Sequence, residues 1–140
     1  MPDFDYVLLA DYVRQDAGTI HIMAAGLDTI ALPAAALPAA IPLGLAARIT
    51  FSSQDEVGTA NLLSLVFTGP AGGELLTASQ HFLTPPPVPG VPAHWRTAIG
   101  LAVRMPLPIP AHGNYAIQVM LNDDPRLSRT LYLRAIEPPG

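Results

Sequence analysis

The carboxylates with the clearest potential for chemistry lie in short polar segments between apolar stretches. They are Asp16, Asp55, Asp123 and Asp124. If the apolar stretches are strands that alternate in direction, the segments that hold these residues all emerge at one end of the fold. Carboxylate oxygens that converge from several loops are ligands that calcium prefers, as in C2-type sandwiches. These four residues are therefore a candidate calcium site.

The same residues have an ordinary structural explanation. Asp and Asn are common in turns because their side chains accept hydrogen bonds from nearby backbone amides. The run Asn122–Pro125 is a typical turn sequence, and Arg14 and Arg126 lie in the same segments, where they would neutralise the carboxylates. We therefore expect no cofactor, and calcium binding stays open as the alternative.

Other reactive side chains form no recognisable catalytic pattern. The chain has no cysteine, and its four histidines show no compact metal-ligand spacing. There is no G-x-S-x-G motif, phosphate-binding loop or dinucleotide fingerprint. We expect a protein that is not an enzyme, although a hydrolase site assembled from distant residues stays open as a third alternative.

Composition restricts the partners and the location. The 140 residues carry a net charge of −4, which disfavours nucleic acids and anionic membrane surfaces. Half of the residues are apolar and 13% are charged, which excludes intrinsic disorder and predicts a single domain over residues 1–140. The acidic N-terminal residues and the absence of an uninterrupted apolar span predict a cytoplasmic protein that has no signal peptide and does not contact a membrane.

Segments with the period-two alternation of half-buried strands are separated by turn residues. They are Phe4–Tyr12, Thr19–Thr29, Leu43–Phe51, Thr59–Phe67, Glu74–Leu83, His94–Met105, Asn114–Leu121 and Arg129–Ala135. All 16 prolines fall outside these segments, as expected because proline cannot donate a ladder hydrogen bond. The pattern predicts an all-β fold, an antiparallel β-sandwich of about eight strands with an immunoglobulin-like or C2-like layout.

The apolar faces of these segments predict the core. The expected core residues are Val7, Leu9, Ile20, Ile22, Ile49, Phe51, Leu63, Leu65, Phe67, Trp95, Ile99, Leu101, Ile117, Val119, Leu131 and Leu133. A capping-box pattern at Ser53–Glu56 leaves a helix over Val57–Phe67 as an alternative to a strand. A short helix is also allowed within residues 31–40, where Pro33 and Pro38 forbid a long one.

Two features suggest a protein partner. The loops expected at the other end of the sandwich are apolar and rich in proline, and in them Leu37, Ile41 and Ile109 are the candidate partner-binding residues. The alternative is that these side chains fold back and plug the end of the sandwich. Sheet edges are the second feature, because a chain without lysine has only arginine and proline to protect them. Edge pairing would give a homodimer, so the expected role is a binding or scaffolding module that acts through loops or a sheet edge.

Eight short motifs are spread over nearly the whole chain. They are Asp11–Val13, Gly18–Met23, Gly26–Asp28, Arg48–Val57, Leu62–Phe67, Gly69–Gly73, Leu107–Pro110 and Gly113–Tyr115. Together they resemble an uncharacterised bacterial family, best represented in actinobacteria, whose members are compact single-domain proteins. The resemblance implies a β-sandwich of unknown function, and it supplies no catalytic residues.

Overall fold

Nine strands carry the fold in the computed structural model, which describes residues 2–16, 19–92 and 94–139 and, for Asp16 and Thr19, the backbone alone. The strands are β1 (Asp3–Asp16), β2 (Thr19–Ala25), β3 (Thr29–Ala31), β4 (Ala39–Phe51), β5 (Ala60–Thr68), β6 (Glu74–Leu83), β7 (Thr97–Ile109), β8 (Gly113–Leu121) and β9 (Ser128–Ile136). Each predicted segment overlaps one of them, and β3 is the additional strand.

The strands form two layers around a shared core. The four-stranded sheet has the order β2-β1-β4-β7, and the five-stranded sheet has the order β3-β9-β8-β5-β6. Neighbouring strands are antiparallel except β3 and β9, where Thr29 pairs with Arg134 in a parallel register. The chain changes layers here because β2 ends beside Ala10, halfway along β1, and residues 26–28 cross to the other sheet. The predicted all-β sandwich of about eight strands is confirmed, and the short β3 adds one parallel pair to an otherwise antiparallel arrangement.

Some prolines lie inside strands, contrary to the expectation. Pro42 of β4 lies directly opposite Pro106 of β7. Opposed prolines cannot exchange N–H···O bonds, so in this pair both ring nitrogens point away from the β4–β7 ladder. Pro108, two residues further along β7, points its nitrogen the same way. For Pro106 and Pro108 this side is the free edge of β7, and Pro42 lies beyond Gly44, where the pairing of β4 with β1 ends, so no paired strand loses a donor.

The main core lies between the two sheets. The predicted core residues that are buried there are Leu9, Ile49, Phe51, Leu63, Leu65, Phe67, Leu101, Ile117, Val119 and Leu133. Val7, Ile99 and Leu131 are half-buried against them. The ring of Phe67 stacks on that of Tyr115 with centroids 5.2 Å apart.

Trp95 is not a core residue, because 61% of its surface is exposed. β7 begins at Thr97, not at His94 as predicted. Thr97 pairs with Phe51, the last residue of β4, so the ladder has no partner strand for the residues before it. The chain therefore leaves the sheet there, and Trp95 projects from the end of the sandwich.

A second, smaller apolar cluster lies on the outer face of the four-stranded sheet. Ala10, Val13 and Ala46 are fully buried in it, and Ile20 and Ile22 pack against them. β2 also contacts β7, which is not its neighbour in the sheet, so the β1–β2 hairpin curls over this outer face. Ile20 and Ile22 therefore pack in an apolar cluster as expected, but outside the space between the sheets.

Helical structure in the described residues is limited to two single-turn 3-10 helices, Ala34–Ala36 and Pro125–Leu127. The first confirms the short helix allowed within residues 31–40. The alternative helix over Val57–Phe67 is wrong, since β5 covers most of that segment. In the described part of the chain, no helix has the length and apolar character needed to cross a membrane.

Candidate functional site

The strand registers decide which loops share an end of the sandwich. β4 ends at Phe51, opposite the start of β7, and β8 ends at Leu121, opposite Leu63 near the start of β5. The β4–β5, β6–β7 and β8–β9 loops therefore lie together at one end, which we call the cleft end. Asp55, Asp123 and Asp124 all belong to these loops.

Asp16 lies at the other end of the sandwich. β1 starts at the cleft end, where Asp3 pairs with Thr50, and it runs away from there to Asp16. The expectation that the three acidic loops share one end is wrong for this loop, because the chain passes through both β2 and β3 before β4 begins. The side chain of Asp16 lies outside the described residues.

Asp55 closes the turn that follows β4. Its Oδ2 accepts hydrogen bonds from the Ser52 backbone N–H at 2.7 Å and from the Ser52 hydroxyl at 3.2 Å. Partial burial acts to raise the pKa of Asp55, but hydrogen bonds such as these outweigh it and lower the pKa. The carboxylate thus stays ionised and holds the turn.

Asp124 and Arg126 form a local pair in the β8–β9 loop. Asp124 Oδ1 accepts from the Arg126 backbone N–H at 3.0 Å, and Oδ2 lies 2.9 Å from the guanidinium. The hydrogen bonds and charge of Arg126 lower the pKa of Asp124. Asn122 and Asp123 have φ of 54° and 53°, and the Asp124 N–H donates to the Leu121 carbonyl, so residues 121–124 form a type I′ turn.

Over the described ranges, no group of three or more His, Asp or Glu side chains is placed to hold a metal ion. We therefore expect the thermal unfolding midpoint to be the same in calcium as in a chelator, at matched ionic strength. Calcium at a hundred times its Kd would add about 2.7 kcal/mol and raise the midpoint by several degrees. A rise of that size that disappears in Asp123→Asn would support the calcium alternative.

An apolar cleft of about 270 Å³ opens at the cleft end, between the β4–β5 loop and the β6–β7 segment. Phe51 forms its buried floor. Val57, Val88, Val91 and Trp95 line it and are exposed. The other lining residues are Ser52, Ser53, Asp55, Thr84, Pro85, Pro87, Pro92 and Thr97. A concave apolar surface with a few polar groups is typical of a binding site, and we call this one the Trp95 cleft.

Proline stiffens the wall of the Trp95 cleft that the β6–β7 segment forms. Pro89 and Gly90 are the central residues of a turn in which the Val91 N–H donates to the Val88 carbonyl at 3.3 Å. Gly90 has a φ of 82°, as a type II turn requires at that position. The two valines at the ends of this turn are thereby presented on the cleft with little backbone freedom.

A polar network joins three segments beside the cleft. The buried Asn61 donates from Nδ2 to the Thr84 hydroxyl and to the Thr59 carbonyl, both at 3.0 Å. Asn122 donates from Nδ2 to Asn61 Oδ1 at 3.1 Å, and its Oδ1 accepts from the Leu62 N–H at 2.8 Å. Thr84 lines the cleft, so the network fixes the position where its proline wall begins. The sequence pattern marks Asn122 only as a turn residue and does not mark Asn61 or Thr84; the one signal is an asparagine at the start of the apolar segment of β5.

Replacing Asn61 with leucine is expected to lower the free energy of unfolding by about 1–3 kcal/mol, because the buried Thr84 hydroxyl loses its donor and the Asn122 amide loses its acceptor. Chemical denaturation measures the change. The matched control is Asn114→Leu on β8, where the asparagine is exposed and the effect should stay within about 0.5 kcal/mol. Equal losses in the two variants would mean that the network contributes nothing of its own.

The candidate partner-binding residues of the other end are largely covered. Ile109 is fully buried, and Leu37 and Ile41 pack against the main core. This is the arrangement expected if the three side chains plug the sandwich, and it leaves them little surface to offer a partner. His112 adds to the plug, since its Nε2 lies 2.7 Å from the Leu32 carbonyl oxygen.

The fold has counterparts among solved structures, while no curated protein matches the chain. It is similar to the C-terminal domain of wzt, with 9% identity, a TM-score of 0.53 and coverage of 99% of this chain and 75% of that one. It is also similar to a putative β-galactosidase from Bacteroides fragilis, with 11% identity, a TM-score of 0.45 and coverage of 70% and 14%. At these identities the first likeness concerns the fold alone, and the second carries no argument. The model of DUF6941, a family of unknown function, matches residues 5–134. The chain therefore belongs to the DUF6941 family, as the resemblance to an uncharacterised family led us to expect.

Proposed function

We propose that this chain is a non-enzymatic protein-binding module of the bacterial cytoplasm whose Trp95 cleft receives an apolar side chain of a partner protein. The observation that carries the proposal is the exposure of the cleft lining. Trp95 and Val88 are 61% and 58% exposed, and Val57 is 53% exposed. Covering this surface removes apolar area from water, which is the main driving force for protein association.

The construction of the cleft supports a protein partner. Tryptophan is enriched among the residues that dominate binding energy at protein interfaces. The proline-rich wall is already ordered, so little conformational entropy is lost when a partner binds. Asp55, the one carboxylate that lines the cleft, is engaged by Ser52. The partner therefore meets a surface that is mostly apolar.

Trp95 provides the test, because it is the only tryptophan in the chain and its emission reports on the cleft directly. A random peptide library is selected on the immobilised protein, and the enriched peptides are titrated while Trp95 fluorescence is recorded. We expect peptides with a shared apolar anchor that shift the emission to shorter wavelength. Val88→Asp should weaken their binding by about 30-fold or more, the effect of losing an interface residue worth about 2 kcal/mol.

The control is Tyr132→Asp, which places the same charge on an exposed aromatic position of β9. Tyr132 does not line the Trp95 cleft, so the selected peptides should bind this variant as tightly as the wild type. If no peptide is enriched, or if the enriched peptides bind Val88→Asp normally, the cleft is not a protein-binding site.

A further inference from the structure

β6 is an edge strand whose protection is confined to its first residues, where a bulge interrupts the pairing with β5 between Glu74 and Leu76. It is ten residues long and has β5 on one side and, in the described part of the chain, no strand on the other. Its one formally charged residue is Glu74, at its first position, and it contains no proline, arginine or lysine. Natural sheets normally protect an edge of this length with charge, proline or a bulge, since its free backbone groups can pair with another chain.

The other long edge strand, β7, has the protection that β6 lacks after its first residues. Arg104, Pro106 and Pro108 all lie in β7. The remaining sheet edges are short, because β2 has seven residues and β3 has three. Among the described strands, β6 is therefore the edge best suited to pairing.

Hydrogen bonds next to β6 show which of its backbone groups face outward. The Thr84 N–H donates to the Thr59 carbonyl at 2.9 Å, and the Thr84 carbonyl accepts from the Gly58 N–H at 3.0 Å. Both groups of Thr84 therefore face β5, and the direction alternates along an extended strand. Over Leu76–Leu83, where the register with β5 is regular, the residues whose N–H and C=O groups face the free edge are Thr77, Ser79, His81 and Leu83.

These residues, together with the exposed side chain of Leu75, are self-complementary in one antiparallel register. With Ser79 opposite Ser79 of a second copy, Thr77 lies opposite His81 and Leu75 lies opposite Leu83. Leu75 and Leu83 are the apolar side chains that β6 exposes on its outer face, by 36% and 61%, and this register covers both. Thr77, Ser79 and His81 then each donate one backbone hydrogen bond to the second copy and accept one from it.

Neighbouring registers lack this match. A shift by two residues places Leu83 opposite Thr77 or opposite Gly73, which precedes β6. The register centred on Ser79 also places Leu76 opposite Phe82 on the inner face, so the apolar face that lines the core continues across the junction.

We propose that two copies of this chain associate through β6 about a two-fold axis at Ser79, so that their five-stranded sheets join into one continuous sheet. The occupant of the edge is thus a second copy, selected by the self-complementary order of side chains along β6. The association uses the edge of β6 and does not depend on the Trp95 cleft.

The mass in solution tests the proposal. Sedimentation equilibrium on the wild type should give twice the chain mass of 14.8 kDa. Ser79→Lys and Ser79→Glu should each sediment as a single chain. The two-fold axis places two side chains of like charge directly opposite each other, on Cα atoms about 5.5 Å apart. An equal mixture of the two variants should regain the dimer mass, because opposite charges then face each other. Gln118→Lys, which adds the charge to an exposed position of β8, should stay dimeric.

A crosslink checks the register independently of charge. The chain has no cysteine, so Ser79→Cys introduces the only thiol. Cα atoms about 5.5 Å apart are within disulfide range, and mild oxidation should yield a covalent dimer, whereas Gln118→Cys should not. A wild type with the mass of one chain at all concentrations, a Ser79→Lys variant that stays dimeric, or equal crosslinking of the two cysteine variants would each overturn the proposal.

Discussion

Replacing Phe67 with alanine should lower the free energy of unfolding by about 3–5 kcal/mol. Phe67 is fully buried, and its ring stacks on Tyr115 with an interplanar angle of 6°. Removing the ring loses the free energy gained by burying it and leaves a cavity beside Tyr115. The Tyr115 hydroxyl donates to the Ala111 carbonyl and accepts from the Ala111 N–H at 3.3 Å, so the remaining ring is held in place and cannot easily fill the space.

Thermal unfolding measures this effect, and the midpoint should fall by roughly 10 °C for a domain of this size. The control is Tyr132→Ala, which removes a larger aromatic side chain from a position that is 70% exposed. That variant should change the free energy of unfolding by no more than about 0.5 kcal/mol. A small loss in Phe67→Ala would show that the sheets can close over the cavity.

Replacing Gly44 with alanine is expected to cost about 1–3 kcal/mol of stability by overpacking. A Cβ on Gly44 would lie 2.4 Å from a methyl carbon of Val13 and 3.0 Å from its Cβ. Val13 is fully buried and β-branched, so its side chain is restricted in χ1 and has little room to move away. The substitution should therefore push the β1–β2 hairpin off the outer face of the four-stranded sheet.

Two variants separate this clash from a general effect of alanine. Gly73→Ala meets no atom within 4 Å and should be close to neutral. Val13→Ala removes the methyl groups involved. The double variant should therefore lose less free energy of unfolding than the sum of the losses in the two single variants. Strict additivity, measured by chemical denaturation, would contradict the proposed contact between hairpin and sheet.

Local pattern was sufficient to predict the strands and most of the main core. Alternation and proline placement depend on the backbone of one strand at a time, so Leu9, Ile49 and Ile117 were identified as buried without knowledge of their partners. The expectation that a strand ends before a proline makes two predicted strands too short, since Pro42 lies within β4 and Pro106 lies within β7.

Features that depend on pairing could not be predicted in this way. In the sequence, Trp95 continues the alternating pattern of β7. Only the pairing with β4, which ends at Phe51, shows that Trp95 lies outside the sheet. The separation of Asp16 from Asp55 follows from the crossing to β3, for which the sequence has no local signal. Gly100 was a usable signal, because glycine inside a strand often marks the close approach of another segment. Here that segment is the hairpin, since a Cβ on Gly100 would lie 2.3 Å from an Ile20 side-chain carbon.

The sequence predicts the loops that form the candidate site, but it does not predict that they form an apolar cleft. The carboxylates of the β4–β5 and β8–β9 loops have the residue types of a metal site, whereas no residue type in the proline-rich segment before β7 marks it as a binding surface. In the structure those carboxylates serve the turns, and Val88, Val91 and Trp95 form the cleft. The assembly of a cleft depends on which loops touch, and that depends on sheet order.

The opposed pair of Pro42 and Pro106 has a consequence for assembly symmetry. Pro106 and Pro108 turn their ring nitrogens toward the outer edge of β7, so an approaching strand meets no donor at these positions. An interface that uses the same strand on both copies is isologous and closes on itself, whereas a second open edge would allow copies to add without limit. If two copies pair at β6, the association closes as a dimer, and the missing donors of Pro106 and Pro108 oppose further growth from this part of the β7 edge.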